Sequence, residues 1–208
     1  MADLKALADA VIKGDQNAAV EITRSALDEG TVAKTVLNDG LIAGMDVIGV
    51  RFKNNEVYIP EVLIAARAMK MAMEILEPEL TKAGVEPAGK FLIGTAQGDL
   101  HDIGKNLVAM MLKGAGFEVI DLGVDVAPEK FIEQARNTGS QLIGISTLLT
   151  TTMPAIEKTL KAMKGAGISA RVMIGGAPVT QGYADKIGAD GYAADAASAV
   201  DMAKTLIA

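Results

Sequence analysis

The sequence predicts an α plus α/β chain, a four-helix bundle followed by a doubly wound parallel sheet of five strands. Three observations carry this. Apolar residues recur at helical spacing from Leu4 to Leu76. Pro78, Gly84, Pro87 and Gly89 then punctuate the chain. From Lys90 onward, short apolar runs alternate with helix-spaced segments, which is the pattern of successive βαβ units.

The helices are justified in order. Leu4, Leu7, Val11 and Ile12 form the first apolar face, which Gly14 ends. Asp15 can cap a second helix carrying Val20, Ile22, Ala26 and Leu27 and ending at Gly30. Thr31 can cap a third, through Val36, Leu37, Leu41, Ile42, Met45 and Ile48. Residues 52–58 read as a loop, and Pro60 suits the first turn of a fourth helix through Val62, Leu63, Ala66, Met69, Met73 and Leu76. Met69, Met71 and Met73 cannot all share one face. Short connections make the four helices antiparallel neighbours. The expected division is a helical domain over 1–83, a linker over 84–89 and an α/β domain over 90–208.

In the second half, Phe91–Thr95 is a buried strand, followed by a helix from about Gly104 to Lys113. Glu118–Leu122 is the second strand, with Pro128 opening the next helix. Leu142–Ser146 is the third, with Pro154 opening another helix. Arg171–Gly176 is the fourth strand, Gly191–Ala193 a short fifth, and an amphipathic helix ends near Ile207. In such sheets ligands bind beyond the carboxyl ends of the strands, where the strand order reverses. The loop after Thr95, the loop after Ser146 and Gly175-Gly176 all fall there.

Composition bounds the chemistry. The 208 residues are half hydrophobic, enough for a sizeable core, and carry a net charge of −6. That balance argues against broad binding to nucleic acid or anionic membranes. Aromatic residues are 3% and tryptophan is absent, which disfavours base-stacking platforms. With no cysteine, disulfides, thiolate metal sites, iron–sulfur clusters and a cysteine nucleophile are excluded. Met1-Ala2-Asp3-Leu4-Lys5 lacks a basic region followed by an apolar block, and no apolar run reaches spanning length. The expectation is a cytoplasmic protein.

The only histidine, His101, lies in Gly98-Asp99-Leu100-His101-Asp102-Ile103-Gly104-Lys105-Asn106. Four readings compete. The run resembles a phosphate loop, but five residues separate Gly98 from Gly104 where that loop needs four, and Asn106 replaces the hydroxyl residue. A hydrolytic metal site could use Asp99, His101 and Asp102, but zinc normally draws several His or Cys ligands. A metal already held in its own macrocycle needs only one axial protein ligand, which His101 could supply while Asp99 tunes it. Finally, His101 could be a surface or capping histidine without a role. Its place in a glycine-flanked loop after a buried strand favours function.

Asp99-x-His101-x-x-Gly104, Ser146-x-Leu148 and Gly175-Gly176 together resemble the cobalamin-binding signature of corrinoid-dependent methyltransferases and mutases. Tyr58-Ile59-Pro60-Glu61-Val62-Leu63, Ala65–Met69 and Leu76-Glu77-Pro78 resemble the helical cap of the methyltransferase branch, so nearly the whole chain is covered. The chain is similar to the small corrinoid subunits of methanol, methylamine and methoxyaromatic methyltransferase systems. The resemblance implies a flavodoxin-like (Rossmann-like) cobalamin-binding domain behind the cap.

By the same resemblance, His101 is the lower axial ligand of a cobalamin or related corrinoid bound base-off and histidine-on, with methylcobalamin in turnover. Asp99 hydrogen-bonds His101, and the two are the catalytic pair. Gly98, Leu100, Asp102, Ile103 and Gly104 complete the cofactor loop. Ser146, Leu148, Gly175 and Gly176 line the cleft for the nucleotide tail. Thr152, or Thr150 two residues before it, extends the Asp99–His101 pair. Tyr58, Val62, Ala65 and Met69 are candidates for the upper face, with bundle core as the competing reading of that stripe. The implied function is a methyl carrier, accepting a methyl group on Co(I) and passing it from methyl-Co(III). It is one component of a methyltransferase system and not a complete enzyme alone. Its implied partners are a substrate-specific methyltransferase subunit, an acceptor methyltransferase using tetrahydrofolate or coenzyme M, and a reductive activase, with no nucleic acid or membrane. Overall resemblance leans towards O-demethylation of methoxyaromatics, with methylamine and methanol systems as alternatives. A cobalamin-dependent regulator is the reading from another class, but the absent tryptophan and second histidine speak against its light-sensing form. The cobalamin subunit of a mutase shares the His loop but not the cap.

Overall fold

A computed structural model describes residues 3–208; Met1 and Ala2, where the leader reading begins, lie outside the described residues. The chain forms two compact units. One runs to Pro87 and includes Gly114–Gly116; the other holds Ala88–Lys113 and Phe117–Ala208.

The helical unit begins with α1 (Leu4–Lys13), capped by Asp3, whose carboxylate accepts the Ala6 N–H at 3.0 Å. Gly14 closes it in the left-handed conformation, φ +69°. Asp15 caps α2 (Gln16–Asp28) through the Ala18 N–H at 3.0 Å. The third helix starts differently from the expectation. Val32, not Thr31, precedes it, and no side chain caps it. It also changes pitch, from α3 (Ala33–Thr35) through a π-helical stretch (Val36–Ile42) into α4 (Ala43–Lys53). This stretch packs closely on α1. A Cβ on Gly40 would come within 2.5 Å of Leu7, and one on Gly44 within 2.8 Å of the Ala8 carbonyl oxygen. The two glycines, four residues apart, share one closely packed face.

The fourth helix, α5 (Ile59–Lys82), opens with Pro60, and the Glu61 carboxylate accepts the Tyr58 N–H at 3.0 Å. It continues through Pro78, which the sequence read as punctuation. Near the end of a long helix, the missing N–H costs only one bond to a carbonyl four residues back. Val62, Ala65, Ala68, Met69, Ala72, Leu76 and Leu80 form its buried stripe. Met71 and Met73 are only partly buried.

On α2, the hydroxyl of fully buried Thr23 has no hydrogen-bond partner. Burying an unpaired hydroxyl is costly, so Thr23→Val is expected to raise stability by about 1 kcal/mol. Chemical denaturation of the two proteins checks the sign.

The second unit alternates β1 (Lys90–Thr95), α6 (Ile103–Gly114), β2 (Glu118–Asp121), α7 (Pro128–Thr138), β3 (Leu142–Ser146), α8 (Met153–Gly165), β4 (Arg171–Gly175), α9 (Gln181–Ile187), β5 (Gly191–Ala193) and α10 (Ala196–Ile207). The short helix α9 is an addition to the sequence reading. The strands are parallel in the order β2-β1-β3-β4-β5, the flavodoxin-like order with its reversal between β1 and β3. Leu92, Ile143, Ile145, Val172 and Ile174 pack with Phe131, Ile156 and Leu160 in the core. Gly94 and Gly144 make room for aromatic rings. Their Cβ atoms would stand 2.8 Å from Phe131 and 2.7 Å from Phe91. Among the described residues, no helix is long and apolar enough to cross a membrane.

Candidate functional site

Parallel register aligns the strand ends. Thr95 pairs with Ser146, Ser146 with Gly175, and Gly175 with Ala193. The chain therefore leaves β1, β3 and β4 along one edge, and the β1 and β3 loops meet where the strand order reverses.

Asp99 joins those two loops. Its carboxylate is fully buried. Oδ1 accepts the His101 backbone N–H at 3.0 Å and lies 2.6 Å from His101 Nδ1. Oδ2 accepts the Leu148 N–H at 2.7 Å, with the Leu149 N–H at 3.3 Å. The Thr147 and Thr152 hydroxyls reach the same oxygen at 2.8 and 3.0 Å. Burial opposes ionisation of this carboxyl. The Leu148 and His101 backbone N–H groups, then the His101 ring and the Thr147 hydroxyl, outweigh it and hold the group well below the usual carboxylate range. An ionised carboxylate only accepts, so Nδ1 of His101 is the donor. In the neutral ring the lone pair is then on Nε2. The His101 side chain is half exposed.

Of the two threonines left open by the sequence, Thr152 is the one bonded to Asp99. Thr150 is exposed, and no bond joins it to that carboxylate. The sequence reading missed Thr147. Its hydroxyl is buried, touches Asp99, and lies 2.5 Å from the Thr152 hydroxyl. The signal was the hydroxyl-rich run from Ser146 to Thr152.

The remaining loop residues divide by environment. Leu100 and Ile103 are 71% and 76% exposed, and Leu148 is 44% exposed. Three open apolar side chains around one half-exposed imidazole suit contact with a large apolar ligand. A Cβ on Gly104 would meet nothing within 4 Å. At Gly176, with φ +121°, a Cβ would stand 1.8 Å from the Thr147 carbonyl oxygen. Only glycine lets β4 turn so close to the β3 loop. The half-buried Ser146 accepts the Ala96 N–H through its carbonyl at 2.9 Å.

Two earlier alternatives find no support. Lys105 is buried, and its ammonium is engaged by Asp121 at 2.5 Å and by the Asn106 amide oxygen at 2.7 Å, so it is no mobile phosphate-loop cation. Asp102 accepts the Asn106 side-chain amide at 3.0 Å, fixing the first turn of α6. Among the described residues, no three His, Cys, Asp or Glu side chains gather to hold a metal ion. The donor set is thus one oriented imidazole nitrogen. That fits a metal whose other positions are filled by its own ring.

Of the four upper-face candidates, three follow the competing bundle-core reading. Val62, Ala65 and Met69 are buried in the stripe of α5, because a 3.6-residue period places them on one inward face. Only Tyr58 is exposed.

Comparison with known proteins agrees with this geometry. A B12 binding domain family matches residues 89–201, and a second B12 binding domain family matches residues 3–77. A corrinoid protein of Desulfitobacterium hafniense is 40% identical, the alignment covering 100% of this chain and 98% of the relative. Dimethylamine corrinoid protein 3 of Methanosarcina acetivorans is 42% identical, with full coverage of both chains. Among solved structures, a chain of the methanol:cobalamin methyltransferase complex of Methanosarcina barkeri superposes with a TM-score of 0.88 at 29% identity, over 98% of this chain and 79% of that one. A cobalamin-binding protein of D. hafniense gives 0.83 at 30% identity, over 99% of each. A lone oriented imidazole, a glycine-lined sheet edge and matches along the whole length converge: this chain belongs to the B12-binding corrinoid proteins of methyltransferase systems, and its cofactor is a corrinoid.

Proposed function

We propose that this chain is the methyl-carrying corrinoid component of a methylamine methyltransferase system. The observation that carries the carrier role is the Asp99–His101 contact at 2.6 Å, which leaves Nε2 as the ring nitrogen free for cobalt. When bound, the corrinoid supplies a cobalt centre that takes up and gives back a methyl group.

The chain's residues do the rest. His101 offers one neutral nitrogen in a fixed tautomer. Asp99 holds that tautomer, and its four Oδ2 donors hold Asp99. The Thr147 and Thr152 hydroxyls can reorient between Asp99 Oδ2, each other and the Leu149 carbonyl, which Thr152 reaches at 2.9 Å. Leu100, Ile103 and Leu148 would pack against a bound corrinoid and shield His101 from water. Gly104, Ser146 and Gly175 would border the nucleotide tail at the strand ends, where Gly176 lets β4 turn tightly against the β3 loop.

The donor class rests on the relatives. Those of full-length similarity include dimethylamine and trimethylamine corrinoid proteins, the latter 43% identical over 96% of this chain. This supports the methylamine alternative over the methoxyaromatic expectation. A substrate-specific methyltransferase subunit, an acceptor methyltransferase and a reductive activase are the proposed partners.

The test has two arms. His101→Ala, loaded with a corrinoid that lacks its own lower base and reduced to Co(II), is expected to lose the nitrogen splitting that the wild type shows in its EPR spectrum; retained splitting overturns the ligand assignment. Wild-type protein, assayed with partner methyltransferases, is expected to accept methyl groups from methylamines. Methylation only from methoxyaromatics or methanol overturns the donor class.

A further inference from the structure

Asp125 lies 24 residues from His101 in sequence and belongs to the loop between β2 and α7. It is a non-glycine residue in the left-handed region, with φ +52°. Such backbone costs free energy and persists where surrounding contacts over-determine it. Those contacts all point at the His101 loop. The Asp125 carboxylate accepts the Gly98 N–H at 2.7 Å, and the Asp125 backbone N–H donates to the Asp99 carbonyl at 2.9 Å. One residue thus grips both ends of the Gly98–Asp99 segment, by side chain on one side and main chain on the other.

The grip is set in a laced joint. Thr95 N–H donates to the Gly123 carbonyl at 3.0 Å, and Val126 N–H donates to the Thr95 carbonyl at 2.9 Å. Ala96 and Val126 form a parallel bridge beyond the strands. On the far side, the Thr95 hydroxyl donates to the His101 carbonyl at 2.9 Å. Asp99 fixes the ring of His101, but nothing in its side-chain bonds fixes its own main chain. Asp125 does that.

We infer that Asp125 is a positioning residue for the cobalt-ligating imidazole: it sets the height and tilt of the Gly98–His101 backbone and so how far Nε2 projects from the sheet edge. This rests on the reading of His101 as the protein ligand of cobalt. The left-handed backbone turns the Asp125 N–H and carboxylate to the same side, where an acceptor and a donor await them. Aspartate and asparagine tolerate that conformation better than other side-chain-bearing residues.

Substitutions separate positioning from stability. Asp125→Gly relieves the backbone but removes the acceptor for Gly98. Asp125→Asn keeps both a tolerated backbone and a carbonyl acceptor. A purely structural role predicts that Asp125→Gly lowers stability, through loss of the Gly98 acceptor, and leaves ligation untouched. The positioning role predicts that folded Asp125→Gly, loaded with a corrinoid lacking its own lower base and reduced to Co(II), shifts about tenfold away from the nitrogen-coupled form whatever its melting temperature, the scale of one charge-assisted hydrogen bond. Asp125→Asn is expected to restore most of the nitrogen splitting. His101→Ala is run alongside. If His101→Ala loses the splitting while Asp125→Gly keeps it in full, the inference on Asp125 is wrong. If His101→Ala keeps the splitting, the ligand reading itself is wrong, and the proposal for Asp125 goes with it.

Discussion

Gly176→Ala is expected to destabilise the α/β unit by about 3 kcal/mol, on the scale of overpacking combined with a left-handed backbone forced on a side chain. The obstacle is a carbonyl. The new Cβ would sit 1.8 Å from the Thr147 oxygen and 2.8 Å from its carbon, so no rotamer change relieves it. Either β4 must retreat or the β3 loop must rise. The second movement would carry Thr147 and Leu148 away from Asp99. Gly175→Ala is the internal control, since its Cβ would stand 3.1 Å from the Ala193 oxygen, a contact eased by a shift of a few tenths of an ångström. Denaturant titration of both variants should rank Gly176→Ala well below Gly175→Ala. Equal stabilities would mean that the close approach is not tight in solution.

Asp99→Asn is expected to cost about 2–4 kcal/mol, because an amide cannot serve donors on both sides of a buried carboxylate. With its nitrogen on the Oδ2 side, the Leu148 N–H and the threonine hydroxyls lose their acceptor. With its nitrogen on the Oδ1 side, the His101 N–H is orphaned and Nδ1 must become the acceptor. That second arrangement moves the ring proton to Nε2 and removes the lone pair that the proposed ligand role needs. More donors lie on the Oδ2 side, so the second arrangement is favoured, and under the proposed ligand role the variant should bind corrinoid with less nitrogen-ligated cobalt. The acid limb of stability tests the same group. The Asp99 pKa is depressed in the folded chain, so its contribution is full above the ordinary carboxylate value of about 3.9 and is lost as pH falls through the lower folded value. Unliganded wild type should therefore lose its advantage over Asp99→Asn on acidification, and a constant difference in stability down to pH 2 would contradict the assignment.

Much of this architecture was legible because local signals agreed. Asp15 after Gly14 marks a helix break in sequence and caps α2 in structure. The change from helical to alternating runs at Lys90 announced the sheet, and parallel pairing placed the three loops together. The π-helical stretch was not legible. Over seven residues an apolar pattern cannot separate one helical pitch from another. The helix α9 escaped because seven residues carry too little periodicity. Val62, Ala65 and Met69 were ambiguous for a different reason, since one stripe pattern serves a core and a ligand face equally. Thr147 and Asp125 were hidden by distance in sequence. Each acts on Asp99 across 26 or more residues, and only the β1–β3 and β1–β2 pairings bring them near.

The long reach of Asp99 also fixes an order of events during synthesis. His101 and its carboxylate leave the ribosome almost together, only two residues apart. The donors that lock Asp99 follow 48 to 53 residues later, on the far side of β3. Until β3 has been made and has docked beside β1, the imidazole has a neighbour but no fixed proton. A nascent or truncated chain can therefore carry the whole histidine motif without the buried, oriented Asp99–His101 pair, which forms only on the closing of the sheet.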